Sequence, residues 1–169
     1  AITTGGAHSC IVKASGEVTC WGLDNYGQSQ VPADVGHVVA VGAGETHTCV
    51  VQDSGELICW GTNSYALTET PANLGPVKGF ATGGWHTCAI DQEDQTQCWG
   101  AGTTNSGSFP NFTQSLVPDS LGATRALSVG STHTCAIDVS GDIVCWGVYL
   151  DSFMSPLATV DIPTDFENP

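Results

Sequence analysis

The sequence predicts an all-β repeat fold: a β-propeller of four blades over residues 1–169, with one disulfide in each blade. Three observations carry that expectation. A stretch recurs four times, as HSCIVKASGEVTCWG from His8, HTCVVQDSGELICWG from His47, HTCAIDQEDQTQCWG from His86 and HTCAIDVSGDIVCWG from His133. Its first cysteines, Cys10, Cys49, Cys88 and Cys135, follow one another at steps of 39, 39 and 47 residues, the size of a blade rather than of a domain. Finally, Gly 21 and Pro 8 punctuate a chain that is 41 % hydrophobic and has no sustained helical periodicity.

Within the first copy, Cys10 and Cys20 are equidistant from Ser15. The stretch therefore reads as a hairpin with the loop Ala14-Ser15-Gly16 and Gly16 in the left-handed position. Gly55 and Gly141 hold that slot in the second and fourth copies, and Asp94 holds it in the third, where positive φ is better tolerated than by most residues. If Lys13 and Glu17 close the loop as a hydrogen-bonded pair, Val12 faces Val18 unbonded, Ile11 faces Thr19 bonded, and Cys10 faces Cys20 unbonded. Unbonded partners have Cα atoms about 4.5 Å apart, which a disulfide accepts. The expected links are Cys10–Cys20, Cys49–Cys59, Cys88–Cys98 and Cys135–Cys145. Each closed loop contributes about 2.8 kcal/mol in the chain-entropy model. Zinc on the His-x-Cys pairs, such as His8 and Cys10, is the competing reading and requires both cysteines of a unit to stay reduced.

Another strand precedes each hairpin: AITTGG, HVVAVGAG from His37, VKGFATGG from Val77 and RALSVGS from Arg125. Each repeat thus supplies at least three antiparallel strands. Trp21, Trp60, Trp99 and Trp146 follow the second cysteine and are expected to pack one blade against the next; a ligand-binding cage is the alternative. Trp85 stands outside the pattern, directly before His86, and is a candidate exposed interaction residue.

With Lys+Arg 3 against Asp+Glu 17, the formal charge is −14. That balance excludes nucleic-acid or anionic-membrane binding through basic clusters, and no acidic cluster has the spacing of a calcium loop. No apolar stretch is long enough for membrane insertion. The opening AITTGGAHSC lacks the regions of a signal peptide, so either a signal was removed or the chain was cut from something larger. Eight cysteines in four evenly spaced pairs point to an oxidising, extracellular location. Four of the five histidines recur in one structural slot, the pair Glu93 and Asp94 falls in a hairpin turn, and no nucleophile elbow, phosphate loop or zinc-protease helix occurs. The reading is of a protein without catalytic residues, metal or cofactor.

The stretch AVGAGETHTCVVQDSGELICWGTNSY resembles the repeat of the regulator of chromosome condensation family, and WGLDNYGQ at Trp21 is similar to that family's segment after the tryptophan. The resemblance runs from Ala1 to about Pro163 and implies a β-propeller. The family includes a nuclear exchange factor for a small GTPase, a secreted bacterial inhibitor of β-lactamase, and plant receptor ectodomains with extra cysteines. Family propellers commonly have seven repeats whereas this chain has four, so an open arc or part of a larger propeller is the alternative fold. The added cysteines resemble the extracellular branches and argue against nucleotide exchange on a cytosolic GTPase.

Individuality should mark function, because shared residues are committed to packing. The third connection, AGTTNSGSFPNFTQSLVPDSLG, is longer by eight residues and carries Phe109, Pro110 and Phe112. Its Asn111-Phe112-Thr113 is a glycosylation sequon, so an attached glycan at Asn111 is a candidate. The fourth connection places Tyr149, Phe153 and Met154 close together. These residues and Trp85 are the interaction candidates. The partner is a protein: copies of this chain in a filament or surface layer, or a cell-surface or extracellular protein that the chain binds or inhibits. The two termini read as halves of one blade, closed by the N-terminal strand completing the fourth blade of its own chain; exchange of that strand between chains is the alternative. Peptide mapping without reduction is expected to recover four links, each within one repeat, and a link between repeats would overturn the register.

Overall fold

The computed structural model describes residues 1–150 and 156–159. Its first sheet comprises β1 (Ile2–Thr4), β2 (His8–Val12) and β3 (Val18–Gly22), and its second β4 (Val38–Ala43), β5 (His47–Gln52) and β6 (Leu57–Gly61). After a 3-10 turn at Ser64–Ala66 come β7 (Val77–Thr82), β8 (His86–Asp91) and β9 (Thr96–Gly100), the third sheet. A short hairpin, β10 (Asn105–Ser108) with β11 (Asn111–Phe112), interrupts the third connection. The fourth sheet follows: β12 (Thr124–Val129), β13 (His133–Asp138), β14 (Ile143–Leu150) and β15 (Pro156–Thr159). Every pairing is antiparallel and every sheet keeps chain order. No helix among the described residues is long and apolar enough to cross a membrane.

Turn chemistry sets the register. Gly16, Gly55 and Gly141 have φ of 78°, 86° and 99°, and Asp94 substitutes at 63°. Lys13 and Glu17 close the first loop, after which Val12 faces Val18, Ile11 faces Thr19 and Cys10 faces Cys20. The same offsets bring together Cys49 and Cys59, Cys88 and Cys98, and Cys135 and Cys145, with Cα separations of 4.0–4.1 Å in the four disulfides.

The sheets pack in succession, first on second, second on third, third on fourth. Val18, Val35, Val38, Val50 and Trp60 fill the first interface, and Val51, Leu57, Leu74, Val77, Ala89 and Trp99 the second. Where the inner strands turn, the blades meet backbone to backbone. The Gly6 amide donates to the Gly44 carbonyl at 3.1 Å, and the Gly84 amide to the Gly130 carbonyl at 3.2 Å. A Cβ at Gly5 would run into the Gly44 carbonyl, and one at Gly83 into the Gly130 carbonyl, so the strand-ending glycines are required for close approach.

Two expectations are corrected. The N-terminal strand does not complete the fourth blade: Ile2, Thr3 and Thr4 pair with Ile11, Cys10 and Ser9, while β15 supplies the fourth strand of the last sheet. The turn at Gly5-Gly6-Ala7 closes a very short loop, which costs less entropy than joining strands from opposite ends of the chain. The four motif tryptophans are also not equivalent, since Trp60, Trp99 and Trp146 are buried whereas Trp21 is 50 % exposed. Each buried one lies against the connection leaving the blade before it.

The glycine steps give a direct test. Gly83→Ala is expected to destabilise the fold by about 1–3 kcal/mol in urea unfolding. Gly79→Ala, whose Cβ would meet only the Ile90 side chain at 3.9 Å, is expected to stay within about 0.5 kcal/mol of the parent. Equal effects would show that blade spacing does not depend on backbone contact at the turn.

Candidate interaction surface

The repeated histidines and tryptophans are taken up in a lock between blades. His8 Nε2–H donates to Thr48 Oγ1 of the next blade at 2.7 Å, and Thr48 donates in turn to the Gln28 carbonyl at 2.8 Å. Trp60 Nε1–H reaches that same carbonyl at 3.0 Å. His86, Thr134, Gln114 and Trp146 repeat the arrangement at 2.7, 3.1 and 2.8 Å. Between the second and third blades, His47 bonds Thr87 at 2.8 Å and Trp99 donates to the Leu67 carbonyl at 3.2 Å. Because Thr48 and Thr134 spend their protons on carbonyls, His8 and His86 must carry theirs on Nε2.

The other ring nitrogen explains the protonation state. Nδ1 of His8, His47 and His86 is buried without a hydrogen-bond partner. A proton there would add a charge and an unsatisfied donor together, so the neutral ring is favoured. Burial lowers the pKa of His47 to about 4 and of His86 to about 3, with repulsion from neighbouring histidines adding to it. Burial also lowers His8 and His133, against a raising contribution at His8 from Asp24 and Glu45. Such rings are structural donors rather than acid–base catalysts. No group of three or more His, Cys, Asp or Glu among the described residues could hold a metal ion.

The individual residues gather elsewhere. From Trp99 to the anchoring Gln114 is 15 residues, against 7 in the first two connections, so the eight extra residues lie between those points. They form the β10–β11 hairpin, pinned by the Gly102 amide donating to Asn111 Oδ1 at 2.9 Å and by Ser115 Oγ donating to the Ala101 carbonyl at 2.6 Å. Gln114 is fully buried; its Oε1 accepts the Phe112 amide and its Nε2 donates to the Pro110 carbonyl. The hairpin thereby brings Phe109 edge-on to Trp85, with centroids 5.6 Å apart. Tyr65, from the second connection, meets Trp85 edge-on at 6.3 Å and is 47 % exposed.

Of the expected interaction residues, Trp85 and Phe109 come together at partly exposed positions. Phe112 does not join them: it is 4 % exposed, held in the buried turn by its amide bond to Gln114. Asn111 is half-buried with its Oδ1 engaged by Gly102, and Thr113 Oγ1 donates to the Phe112 carbonyl at 2.5 Å. The backbone of Tyr149 belongs to β14, and Phe153 and Met154 lie outside the described residues. Sequence reasoning missed Tyr65. Its signal was the alignment of Asn63-Ser64-Tyr65-Ala66 with Asp24-Asn25-Tyr26-Gly27, in which Ala66 occupies the left-handed slot of Gly27. Tyr65 and Ala66 have φ of 61° and 58°, strain of the order of 1 kcal/mol per residue that accompanies the presentation of the Tyr65 ring.

The histidine locks imply an acid-labile fold. Unfolded histidines titrate near 6.5, so below that pH the unfolded chain takes up protons that folded His47 and His86 refuse. Their stabilisation is complete above pH 6.5 and is lost as pH falls, down to about pH 4 for His47 and about pH 3 for His86. The limiting slope is about 1.4 kcal/mol per pH unit for each ring. Urea unfolding between pH 7.5 and 4.5 should show this decline, and the double substitution His47→Gln with His86→Gln should flatten it even if its stability at pH 7.5 is lower. A parallel decline in the double variant would place the acid sensitivity elsewhere.

The sequence pattern described as the "Regulator of chromosome condensation (RCC1) repeat" matches residues 1–28 and 38–66. No curated protein matches the chain. Among solved structures, the fold is similar to the CRINKLY WD40 ectodomain of the Arabidopsis thaliana receptor kinase ACR4, with a TM-score of 0.67 and 22 % identity over 94 % of this chain and 51 % of that one. Human WBSCR16 gives 0.71 and 21 %, over 96 % and 53 %. Prp20p of Saccharomyces cerevisiae, studied for its binding properties to Gsp1p and histones, gives 0.66 and 17 %, over 97 % and 50 %. The chain therefore spans about half the length of each of these proteins. The matched repeats, the hairpin disulfides and these similarities identify a disulfide-stabilised fold of the RCC1-repeat propeller type.

Proposed function

We propose that this chain is an extracellular protein-binding module, one unit of four blades arranged as an open arc, that engages its partner through the surface around Trp85. One observation carries the reading. The residues before the motif histidines are Ala7, Thr46, Trp85 and Thr132, and only the third is aromatic; it gathers Tyr65 and Phe109 from two separate connections. Large aromatic side chains presented on a rigid scaffold are the usual anchors of protein recognition. Four disulfides and no free cysteine support an oxidising compartment, and the formal charge of −14 favours a partner without a strong negative field.

The arc is favoured over a closed four-blade ring by the succession of packing between neighbouring sheets and by the exposure of Trp21, the tryptophan that a blade before the first would cover. The alternative role, self-assembly into a filament or surface layer, draws on that different surface, the outward side of the first blade.

The double substitution Trp85→Ser with Phe109→Ser should keep the unfolding midpoint within about 1 kcal/mol, since both side chains are partly exposed. It should also abolish retention of any protein that the parent chain captures from the extracellular fraction of its producing cells. Undiminished retention by the double variant would move the binding surface away from Trp85.

A further inference from the structure

The aromatic cluster has both a shape and an electrical setting. Trp85 meets two rings that stand nearly perpendicular to it, Tyr65 at 90° with centroids 6.3 Å apart and Phe109 at 85° with centroids 5.6 Å apart. All three side chains are open to solvent in part. Rings set at right angles form a corner rather than a flat patch, and the face of an aromatic ring is its negative pole. Corners of this kind are how aromatic side chains hold a cation.

The surroundings carry the same sign. The two connections that bring in Tyr65 and Phe109, residues 62–76 and 101–123, contain no lysine or arginine. Lys13 and Lys78 are engaged elsewhere, by Glu17 at 2.9 Å and Asp94 at 2.7 Å, and Arg125 belongs to β12. Glu69, by contrast, is built into the turn that presents Tyr65. Its amide donates to the Ala66 carbonyl at 3.2 Å, and its Oε1 accepts from Asn63 Nδ2 at 2.7 Å. The Glu69 side chain is exposed, and no ion pair among the described residues uses it. The neutral polar groups of the same turn are spent on one another. Thr68 Oγ1 donates to Asn63 Oδ1 at 2.8 Å, and the Thr62 and Ser64 hydroxyls bond each other at 3.1 Å. A sugar, whose hydroxyls must be matched by free donors and acceptors, would find few here, whereas a cation requires only ring faces and a negative field.

We infer that the Trp85 cluster takes a cationic side chain, an arginine of the partner protein, whose guanidinium stacks on the indole beside Tyr65 and Phe109 and is drawn in by Glu69. Arginine suits the corner better than lysine because its planar head lies flat on an aromatic face and is the more weakly hydrated of the two. The formal charge of −14 acts in the same direction at longer range. The inference rests on the Trp85 surface proposed above and adds the chemistry of what that surface binds.

Magnetic resonance on the isotope-labelled protein tests it, with the indole signal of Trp85 identified by its loss in Trp85→Ser. The probes are acetyl-arginine methylamide and its citrulline analogue, which keeps the shape of the head and removes its charge. The Trp85 signal is expected to move with a millimolar Kd for the arginine probe and at least about 3-fold more weakly for citrulline. Glu69→Gln, which keeps an oxygen for Asn63, should weaken the arginine probe by about 2-fold and leave citrulline unchanged. Equal binding of citrulline, no movement at Trp85, or equal movement of the other indole signals would overturn recognition of a cation at this site. None of those results bears on whether the double variant loses the captured protein. Conversely, retention that survives in the double variant would move the protein-binding surface without altering what the titration reads at Trp85.

Discussion

The rest of the structure depends on one carbonyl oxygen per blade interface. At Gln28, Leu67 and Gln114 the main chain leaving one blade turns its carbonyl into the next, where the motif tryptophan donates to it. At Gln28 and Gln114 a threonine hydroxyl donates to the same oxygen, itself fixed by a histidine from the earlier blade. A buried carbonyl with two lone pairs is expensive to leave unmade. Two donors of different shape satisfy it in only one relative position of the blades, so the bond set specifies geometry more than it supplies net energy.

That requirement explains why the motif is spread as it is. Histidine and threonine must lie on one strand and tryptophan on the strand paired with it, which the hairpin register achieves by setting Thr48 opposite Trp60 and His47 opposite Gly61. The glycine after each tryptophan is equally constrained, because a Cβ at Gly61 would strike the Thr46 carbonyl and the His47 Cα. The disulfide holds the same two strands one pair further along. With so many bonds fixed to one register, a slip by a single residue would turn cysteine, histidine and tryptophan to the wrong faces at once.

Local features were legible in the sequence because they are repeated and short-ranged. The period, the turns with Gly16 and Asp94, and the facing cysteines follow from the pattern of one hairpin read four times. What crosses between blades was harder to see. The constant 32-residue separation between an anchoring carbonyl and its tryptophan is visible only once the carbonyl is known, and a backbone acceptor leaves no trace in residue type: Gln28, Leu67 and Gln114 share the role with different side chains. The seam between termini was misjudged for a related reason. The two ends read as halves of one blade, but pairing is decided by the short turn at Gly5-Gly6-Ala7, which favours the local partner.

The same division between shared and individual residues accounts for where the proposed binding surface can arise. A blade that uses its histidine, threonine, tryptophan and turn glycines for docking has little freedom on its strands, and only the connections and the residue before the histidine can vary without disturbing a lock. Trp85 occupies that one variable position next to a fixed histidine, so its ring is held by a rigid backbone while its identity is unconstrained by packing. The eight extra residues of the third connection enter before Gln114, and the chain still returns its carbonyl to the required place. The insertion could therefore bring Phe109 to Trp85 without altering any blade interface, and recognition could be added to the scaffold with no change in the bonds that build it.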